Sequence, residues 1–258
     1  MIEILKSIAL KGGEIIKEGF TASKDISHKG VVDLVTQYDV QTEQFLIQEL
    51  KKHFNDYMFI GEEGHEDIIV SPGKAIYIDP IDGTTNFIHG LPHLAISMGI
   101  WEDSVPIAGI VYNPILNEMF WAQRGKGAYC NGVKLSVSSQ NNLQQALIGT
   151  GFPYAKVNKG IEYEWVIKCM TAILPNIQDI RRYGAAALDL CYLAQGKLDA
   201  FYEIDLKPWD VAAGILILQE AGGKVSDSSN KPYHLGAKSI VASNGLVHDE
   251  LTKYLYPI

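Results

Sequence analysis

Long apolar runs, cysteine pairs and an excess of basic residues are all missing from this 258-residue sequence. No apolar stretch reaches the roughly 20 residues that a membrane-spanning helix needs, so we expect no membrane partner. Residues 1–19 mix acids and lysines with apolar positions and have no small-residue cleavage site, which excludes a typical secretory signal. Cys130, Cys169 and Cys191 have no metal-like spacing, and we interpret them as reduced thiols of a cytoplasmic protein.

Basic residues are outnumbered, 22 against 30 acidic ones, and the formal net charge is -8. This balance disfavours a nonspecific nucleic-acid partner, because binding to a phosphate backbone needs a basic surface. A small phosphorylated substrate remains compatible with it, since bound divalent cations reverse the local charge of an acidic site.

The first half of the chain combines two predicted helices with several strands. Apolar residues recur at helical spacing over residues 4–16, and the polar residues 21–29 predict a mobile loop. A second helix is expected to begin near Asp39. Strand-like segments follow up to a hairpin whose turn, Asn131-Gly132, favours the type I′ geometry.

The polar segment 136–145 is the best candidate for a domain boundary. After it, predicted strands alternate with predicted helices. We therefore predict an α+β domain over residues 1–140 and an α/β domain over residues 141–258 that completes the site.

An unusual acidic turn, Asp79-Pro80-Ile81-Asp82, follows the predicted strand at residues 75–78. Pro80 has no backbone N–H, so we expect it to break the strand and to swing Asp82 back beside Asp79. The Ile81 carbonyl would then be exposed between the two carboxylates.

Two further acidic segments lie at predicted element ends. Glu62 and Glu63 follow the preceding strand, and Asp210 opens a helix that begins with Trp209. Clustered carboxylates stay ionised together only beside a positive charge, and oxygen ligands without His or Cys favour magnesium or manganese. Taken singly, a solvated loop and a helix cap explain these acids equally well.

Gly83, Thr84 and Thr85 come directly after the acidic turn. A glycine has free backbone geometry, and a helix that begins at the threonines would direct N–H groups at a phosphate. The alternative is that Thr84 only caps the helix.

Together these segments resemble the inositol monophosphatase family of magnesium-dependent phosphatases. The resemblance rests on G-E-E-G at residues 61–64, D-P-I-D-G-T-T-N-F at 79–87 and W-D-V-A-A-G at 209–214, and it covers nearly the whole chain. It implies a layered α-β-α-β-α sandwich, the sugar phosphatase fold, with a mixed sheet in each half. It also implies hydrolysis of a small phosphorylated polyol by metal-activated water, a cytoplasmic homodimer, and two to three magnesium ions. Manganese would substitute for magnesium, and lithium would inhibit.

The resemblance also implies roles for individual residues. The metal ligands would be Glu62, Asp79, the Ile81 carbonyl, Asp82 and Asp210. Catalytic support would come from Thr84 hydrogen-bonded to Asp39, and from Glu63 behind the ligands; an N-cap role for Asp39 competes with the first of these. The substrate would contact Gly83, Thr84, Thr85, Arg181, Gly184, Ala186, Glu203 and Asp210.

Two positions depart from the pattern of many relatives. In the loop that often carries a lysine near a third metal, His28 and Lys29 both compete for that place. Next to Asp210, Lys207 would contact a second phosphate or acidic group of a larger substrate, or it is simply a solvated lysine.

Four other functions compete with hydrolysis of inositol 1-monophosphate. The same site would serve the 2′-phosphate of NADP(H) or fructose 1,6-bisphosphate. A phosphatase of the haloacid-dehalogenase type, with Asp79 as covalent nucleophile, fits less well, because its two acids are separated by one residue instead of two. A non-catalytic regulatory protein of the same fold is the alternative from a different class.

Overall fold

The computed structural model describes residues 1–28, 34–64 and 70–258 of the chain. In these ranges the α-helices are α1 (Ile2–Thr21), α2 (Gln37–Lys51), α3 (Thr84–Ile88), α4 (Ile161–Ile173), α5 (Ala186–Ala194), α6 (Pro208–Glu220) and α7 (His248–Leu251). None of them combines the length and apolarity that a bilayer-spanning segment requires.

Strands of the described ranges form one hairpin and two mixed sheets. The hairpin pairs β1 (Ile26–His28) with β2 (Leu34–Thr36). The seven-stranded sheet has the order β3 (Met58–Gly61), β4 (Ala75–Asp82), β5 (Ala95–Glu102), β6 (Val105–Asn113), β7 (Glu118–Gln123), β8 (Ala128–Cys130), β9 (Val133–Lys134). The five-stranded sheet has the order β11 (Asp179–Arg181), β10 (Leu147–Thr150), β12 (Ala200–Ile204), β14 (Ser239–Ser243), β13 (Lys224–Ser226).

Three apolar clusters stack these elements into layers. The first cluster packs α1 and α2 on one face of the seven-stranded sheet. The second packs α5 and α6 between the two sheets, and the third packs α4 and α7 on the outer face of the five-stranded sheet. The predicted α-β-α-β-α sandwich with a mixed sheet in each half is thus confirmed.

Helix α6 lies unusually close to the first sheet. A Cβ atom added at Gly99 would come within 2.7 Å of Ala212, and one added at Gly109 within 2.9 Å of the Ala213 carbonyl. Side chains at these positions would push the helix away, because interiors are close-packed. This contact, with the hydrogen bond from Ser97 Oγ to the Trp209 carbonyl, holds the start of α6, which carries Asp210, against β5. The division into two domains stays a prediction.

One local prediction differs from the structure. The residues predicted as a loop include strand β1, because Ile26–His28 pairs antiparallel with Leu34–Thr36. Lys29 lies outside the described residues, and only the backbone of His28 is described. The Asn131-Gly132 hairpin turn is confirmed, with φ of 47° and 83°.

Candidate active site

Strand β4 does not end at Pro80, contrary to the prediction. It continues to Asp82, with a register shift after Asp79: Asp79 pairs with Ser97 and Asp82 pairs with Ala95. Three steps along β4 therefore match two steps along β5, which is a β-bulge and accommodates the missing proline N–H. Because Ser97 and Ala95 share a face of the sheet, the bulge places Asp79 and Asp82 on one face as well.

The turn after this bulge is fixed by Gly83. Its φ is +100°, and an added Cβ would lie 3.0 Å from the His93 carbonyl, so a larger residue would be both strained and crowded. Helix α3 begins at the next residue, as predicted. Gly83, Thr84 and Thr85 therefore form its first turn, beside the two aspartates.

Thr84 is held by hydrogen bonds on both sides of its hydroxyl. Oγ1 lies 2.9 Å from Asp39 Oδ1 and 3.1 Å from the Ile81 carbonyl. A hydroxyl has one proton, so it donates to one of these acceptors at a time and keeps lone pairs for another donor.

Asp39 links this hydroxyl to the start of α2. Its Oδ2 accepts from the Thr36 backbone N–H at 2.8 Å and from the Thr36 hydroxyl at 2.6 Å. Thr36 is the N-cap and Asp39 the third residue of the helix, a capping box. One carboxylate thus combines a capping contact with a contact to Thr84, and burial raises its pKa.

The second half of the chain holds Asp82 through the N-terminus of α5. Ala187 N donates to Asp82 Oδ2 at 2.7 Å, and Ala186 N donates to Oδ1 at 3.2 Å. Such N–H groups have no partner inside the helix and favour a negative charge. Ala186, predicted to contact substrate, therefore lies directly at the candidate metal ligand.

Asp210 lies at the third position of α6, where its Oδ2 accepts from Lys207 N at 2.6 Å. Burial, then the charge of Asp82, raises its pKa to about 7. Burial also raises the pKa of Asp82 to about 8, and burial with the charges of Glu62 and Asp82 raises the pKa of Asp79 well above its usual value. The carboxylates therefore disfavour ionisation in one another's presence.

These acids are a fitting donor set for a divalent cation. Their hydrogen bonds leave lone pairs on each carboxylate, and the oxygen-only ligands suit magnesium or manganese. In the described ranges no three Asp, Glu, His or Cys side chains form a closed ligand group.

The G-E-E-G turn is organised by a residue that sequence reasoning missed. Glu43, buried on α2, accepts from Glu63 N at 2.8 Å through Oε2. A Cβ at Gly61 would lie 2.3 Å from the same oxygen, so the turn wraps tightly around the Glu43 carboxylate. Glu43 follows Asp39 by four residues on one helix face, which was the available signal.

Among the predicted substrate residues, Glu203 and Gly184 lie at the site and Arg181 points elsewhere. The Glu203 carboxylate is buried against Gly151, and burial followed by the charge of Asp189 raises its pKa well above the usual value. The Arg181 guanidinium contacts Asp179 at 2.5 Å and the Ile180 carbonyl at 2.9 Å. Its neighbour Arg182 is the arginine whose charge lowers the Glu203 pKa.

Asn86 ties the two halves together beside the site. Its Nδ2 donates to the His93 carbonyl at 2.7 Å and to the Tyr183 carbonyl at 2.8 Å. The sequence pattern gives Asn86 no role at the site, because its second acceptor lies 97 residues away in the sequence. Lys207, left open between two roles, lies 3.6 Å from Asp205 and is half exposed.

Known proteins are similar to this chain in both sequence and fold. A family model described as the inositol monophosphatase family matches residues 1–257. Inositol monophosphatase 3 of Solanum lycopersicum is 40% identical over 261 residues, covering 98% of this chain and 96% of that protein. The extragenic suppressor protein suhB of Bartonella henselae superposes with a TM-score of 0.91 at 34% identity, covering 98% of this chain and 97% of that one.

SaIMPase-II is similar at 32% identity and a TM-score of 0.82, over 98% of this chain and 93% of that one. It was solved both with bound inositol monophosphate and with bound 2′AMP. The layers and the acidic site thus define a protein of the sugar phosphatase fold. The chain belongs to the inositol monophosphatase family.

Proposed function

We propose that this protein is a metal-dependent phosphomonoesterase that converts inositol 1-monophosphate to inositol and phosphate. The observation that carries the proposal is the Thr84 hydroxyl, which lies 2.9 Å from buried Asp39 and belongs to the same turn as Asp79 and Asp82. Hydrolysis needs an oriented water, a neutralised phosphate and a stabilised leaving oxygen. This turn offers groups for each of these tasks.

Thr84 is the group we assign to the attacking water. While its proton points to Asp39, its lone pairs accept a hydrogen bond from water and so orient the water oxygen toward phosphorus. Asp39 Oδ2 is occupied by Thr36, which leaves Oδ1 for the threonine. The new bond joins the water oxygen to phosphorus and the bond from phosphorus to the inositol oxygen breaks. The water gives up one proton, and the inositol oxygen gains one, so that inositol and phosphate are released.

The carboxylates of Glu62, Asp79, Asp82 and Asp210, with the Ile81 carbonyl, are the groups we assign to divalent cations. Bound ions of this kind lower the pKa of the attacking water and stabilise the leaving oxygen. We propose two to three magnesium ions, with manganese as a substitute and lithium as an inhibitor. The helix turn Gly83–Thr85 would hold the phosphate oxygens. Glu63 supports the turn through its N–H, and Glu203 would accept hydrogen bonds from polyol hydroxyls.

A second candidate substrate is the 2′-phosphate of an adenosine nucleotide such as NADP(H). It is supported by SaIMPase-II, which was solved with bound 2′AMP. A homodimer in the cytoplasm also remains a proposal, which light scattering and fractionation would check.

The test is phosphate release from inositol 1-monophosphate, NADP and fructose 1,6-bisphosphate, with magnesium and with chelator. We expect magnesium-dependent release that is fastest for inositol 1-monophosphate and that millimolar-scale lithium inhibits. No release from any of them would contradict the enzyme and favour a non-catalytic regulatory protein. Release that persists in chelator would contradict the assignment of the carboxylates.

A further inference from the structure

Two buried polar atoms beside the site face each other, one from each half of the chain. His93 lies in the segment between α3 and β5, and Asp189 lies on α5. The Nε2 atom of His93 is 3.5 Å from Oδ1 of Asp189, and the two side chains are only 14% and 1% exposed. Among the described residues, neither atom makes a hydrogen bond. Burying a polar group without a partner costs free energy, so this pair calls for a physical explanation.

Aromatic rings fix the orientation of the His93 side chain. The centre of its ring is 4.8 Å from that of Tyr183 and 5.4 Å from that of Tyr192. The Tyr192 hydroxyl donates to Glu118 at 2.8 Å, which holds the second of these rings in place. A ring that is packed on two sides has little freedom to turn, so Nε2 stays directed at Asp189. A shift of about 0.5 Å along this line would give a direct hydrogen bond.

The backbone of His93 contacts the helix turn Gly83–Thr85, to which we assign the phosphate. Its carbonyl accepts from Asn86 Nδ2 at 2.7 Å, and Asn86 belongs to the same helix as the turn. A Cβ added at Gly83 would lie 3.0 Å from that carbonyl. His93 is therefore joined to the phosphate turn by its backbone and directed at α5 by its side chain.

Asp189 belongs to the first turn of α5, the turn that holds Asp82. Its backbone N donates to the Ala185 carbonyl at 3.0 Å and so closes this turn. Within the turn, Ala186 N and Ala187 N donate to the two oxygens of Asp82. A displacement of the turn moves both donors together, because a helical turn is a hydrogen-bonded unit. The Asp189 side chain is thus a point at which the turn that holds Asp82 can be fixed.

Asp189 is also electrostatically close to two acids of the site. Burial, then the charge of Asp189, raises the pKa of Glu203 well above its usual value. Burial is the main cause of the raised pKa of Asp82 as well, and the charge of Asp189 adds to it. Burial raises the pKa of Asp189 itself, and His93 opposes this change. A carboxyl group among other acids needs a donor beside it, and His93 is placed to supply one.

We propose that His93 and Asp189 are a positioning pair, which holds the first turn of α5 against the phosphate turn and thereby sets the position of Asp82 for the metal. The inference rests on the proposed function, because it assumes a divalent cation at Asp82. The pair acts through the N–H groups of Ala186 and Ala187 and not by contact with the cation.

The first experiment is calorimetric titration of the metal-free protein with magnesium, without substrate. His93→Phe keeps an aromatic ring beside Tyr183 and Tyr192 but removes Nε2. We expect the magnesium dissociation constant to rise ~10-fold, the lower end of the loss seen when groups behind metal ligands are replaced. His93→Gln keeps a side-chain N–H donor, so its dissociation constant should stay within about threefold of the wild-type value.

The second experiment needs neither metal nor turnover. Hydrogen exchange of the backbone amides is followed at the start of α5 in the metal-free protein. In His93→Phe, the N–H groups of Ala186 and Ala187 should exchange ~10-fold faster, because their contact with Asp82 loosens. His93→Gln should restore most of the protection.

A matched control separates positioning from a general loss of stability. His93→Phe leaves Asp189 buried without a donor, so the melting temperature should fall by roughly 4 °C or more. His248→Leu removes two hydrogen bonds of a buried histidine on the outer face of the five-stranded sheet. It should also lower the melting temperature, but it should change neither magnesium binding nor exchange at α5.

The double variant His93→Phe/Asp189→Leu makes the separation sharper. Replacing both partners by apolar groups leaves no unpaired buried group, so the melting temperature should largely recover. Magnesium binding should stay weak, because the link between the phosphate turn and α5 is still missing.

The outcomes distinguish the pair from the proposed function. Unchanged magnesium affinity in His93→Phe would overturn the pair, even in an enzyme that releases phosphate. Equal weakening by His248→Leu would also overturn it, since lost stability would then explain the effect. If the wild type binds magnesium with the expected dependence on His93 but releases no phosphate, only the proposed function fails. If the wild type binds no magnesium, the cation assigned to Asp82 is absent and both fail.

Discussion

The two halves of the chain contribute to the site in different ways. The first half presents buried groups held by backbone geometry: Asp39, Asp79 and Thr84 are 0%, 2% and 9% exposed. The second half presents longer side chains at strand ends, and Arg182 lies at the surface. We infer that the first half sets the chemistry and the second half sets the choice of substrate.

This division of roles is not complete, because contacts between the halves hold two of the acidic residues. Asp82 belongs to the first half, but the N–H groups of Ala186 and Ala187 fix both of its oxygens. Asp210 belongs to the second half, but close packing of α6 on the first sheet determines its position. A variant at either acid should therefore affect chemistry, and a variant at Glu203, near the end of β12, should affect binding.

The largest effect is expected for Asp82→Asn. The amide removes a ligand charge, and its NH₂ group cannot accept from one of the two helix N–H groups. We expect kcat to fall on the order of 10³-fold, about 4 kcal/mol of transition-state stabilisation. Magnesium should also raise the melting temperature much less than in the wild type.

Asp56→Asn is the matched control, because Asp56 is exposed and pairs only with Lys74 among the described residues. It should leave kcat and the magnesium-induced melting shift unchanged. If Asp82→Asn retains a near-native kcat, Asp82 is not a metal ligand and the first half does not set the chemistry as proposed.

Thr84→Ala should have the next largest effect. It removes the hydroxyl that orients water, and we expect kcat to fall by ~10²-fold, the lower end of proton-transfer assistance. The magnesium-induced rise in melting temperature should persist, because the carboxylates remain. Thr84→Ser keeps the hydroxyl and should restore most of kcat; equal losses in the two variants would point to packing instead of chemistry.

Glu203→Gln tests the second half. The amide is nearly isosteric, but its NH₂ group cannot accept a hydrogen bond from a substrate hydroxyl, so KM for inositol 1-monophosphate should rise ~10-fold while kcat stays within about threefold. Glu164→Gln, on the exposed face of α4, should change neither constant. A fall in kcat at unchanged KM would place Glu203 in the chemical step and blur the division between the halves.

Sequence reasoning located the first half of the site better than the second, for a physical reason. Asp79, Asp82, Gly83 and Thr84 are neighbours along the chain, so their local geometry follows from proline, glycine and helix-start preferences. The resemblance then added the contact between Asp39 and Thr84. The bulge in β4 escaped detection, because it depends on pairing with β5.

The second half depends on register between strands that are distant in sequence. Whether Arg181 or Arg182 faces Glu203 is decided by a one-residue alternation along β11, a short strand that no local pattern predicted. The adjacent arginines are equivalent until that pairing is known.

The smallest effect on activity at neutral pH is expected for His248, which lies on the outer face of the five-stranded sheet. His248 is fully buried, with Nε2 2.9 Å from Ser226 Oγ and Nδ1 2.9 Å from Ser243 Oγ. Burial lowers its pKa from 6.5 to about 4. Between pH 4 and pH 6.5 the histidine is therefore protonated in the unfolded chain and neutral in the folded chain. Stability is therefore complete above pH 6.5 and falls by up to ~3 kcal/mol as the pH drops to 4.

Urea unfolding of the wild type and His248→Gln between pH 7 and 4 isolates this contribution, because all other titrating groups are common to both proteins. The wild type should lose more stability on acidification than the variant, by roughly 2 kcal/mol between pH 7 and 5. Kinetic constants at pH 7.5 should stay close between them if the fold is intact, since His248 belongs to the outer layer and not to the site. Parallel stability curves would mean that His248 titrates normally and that the outer layer of the second half opens readily to protons.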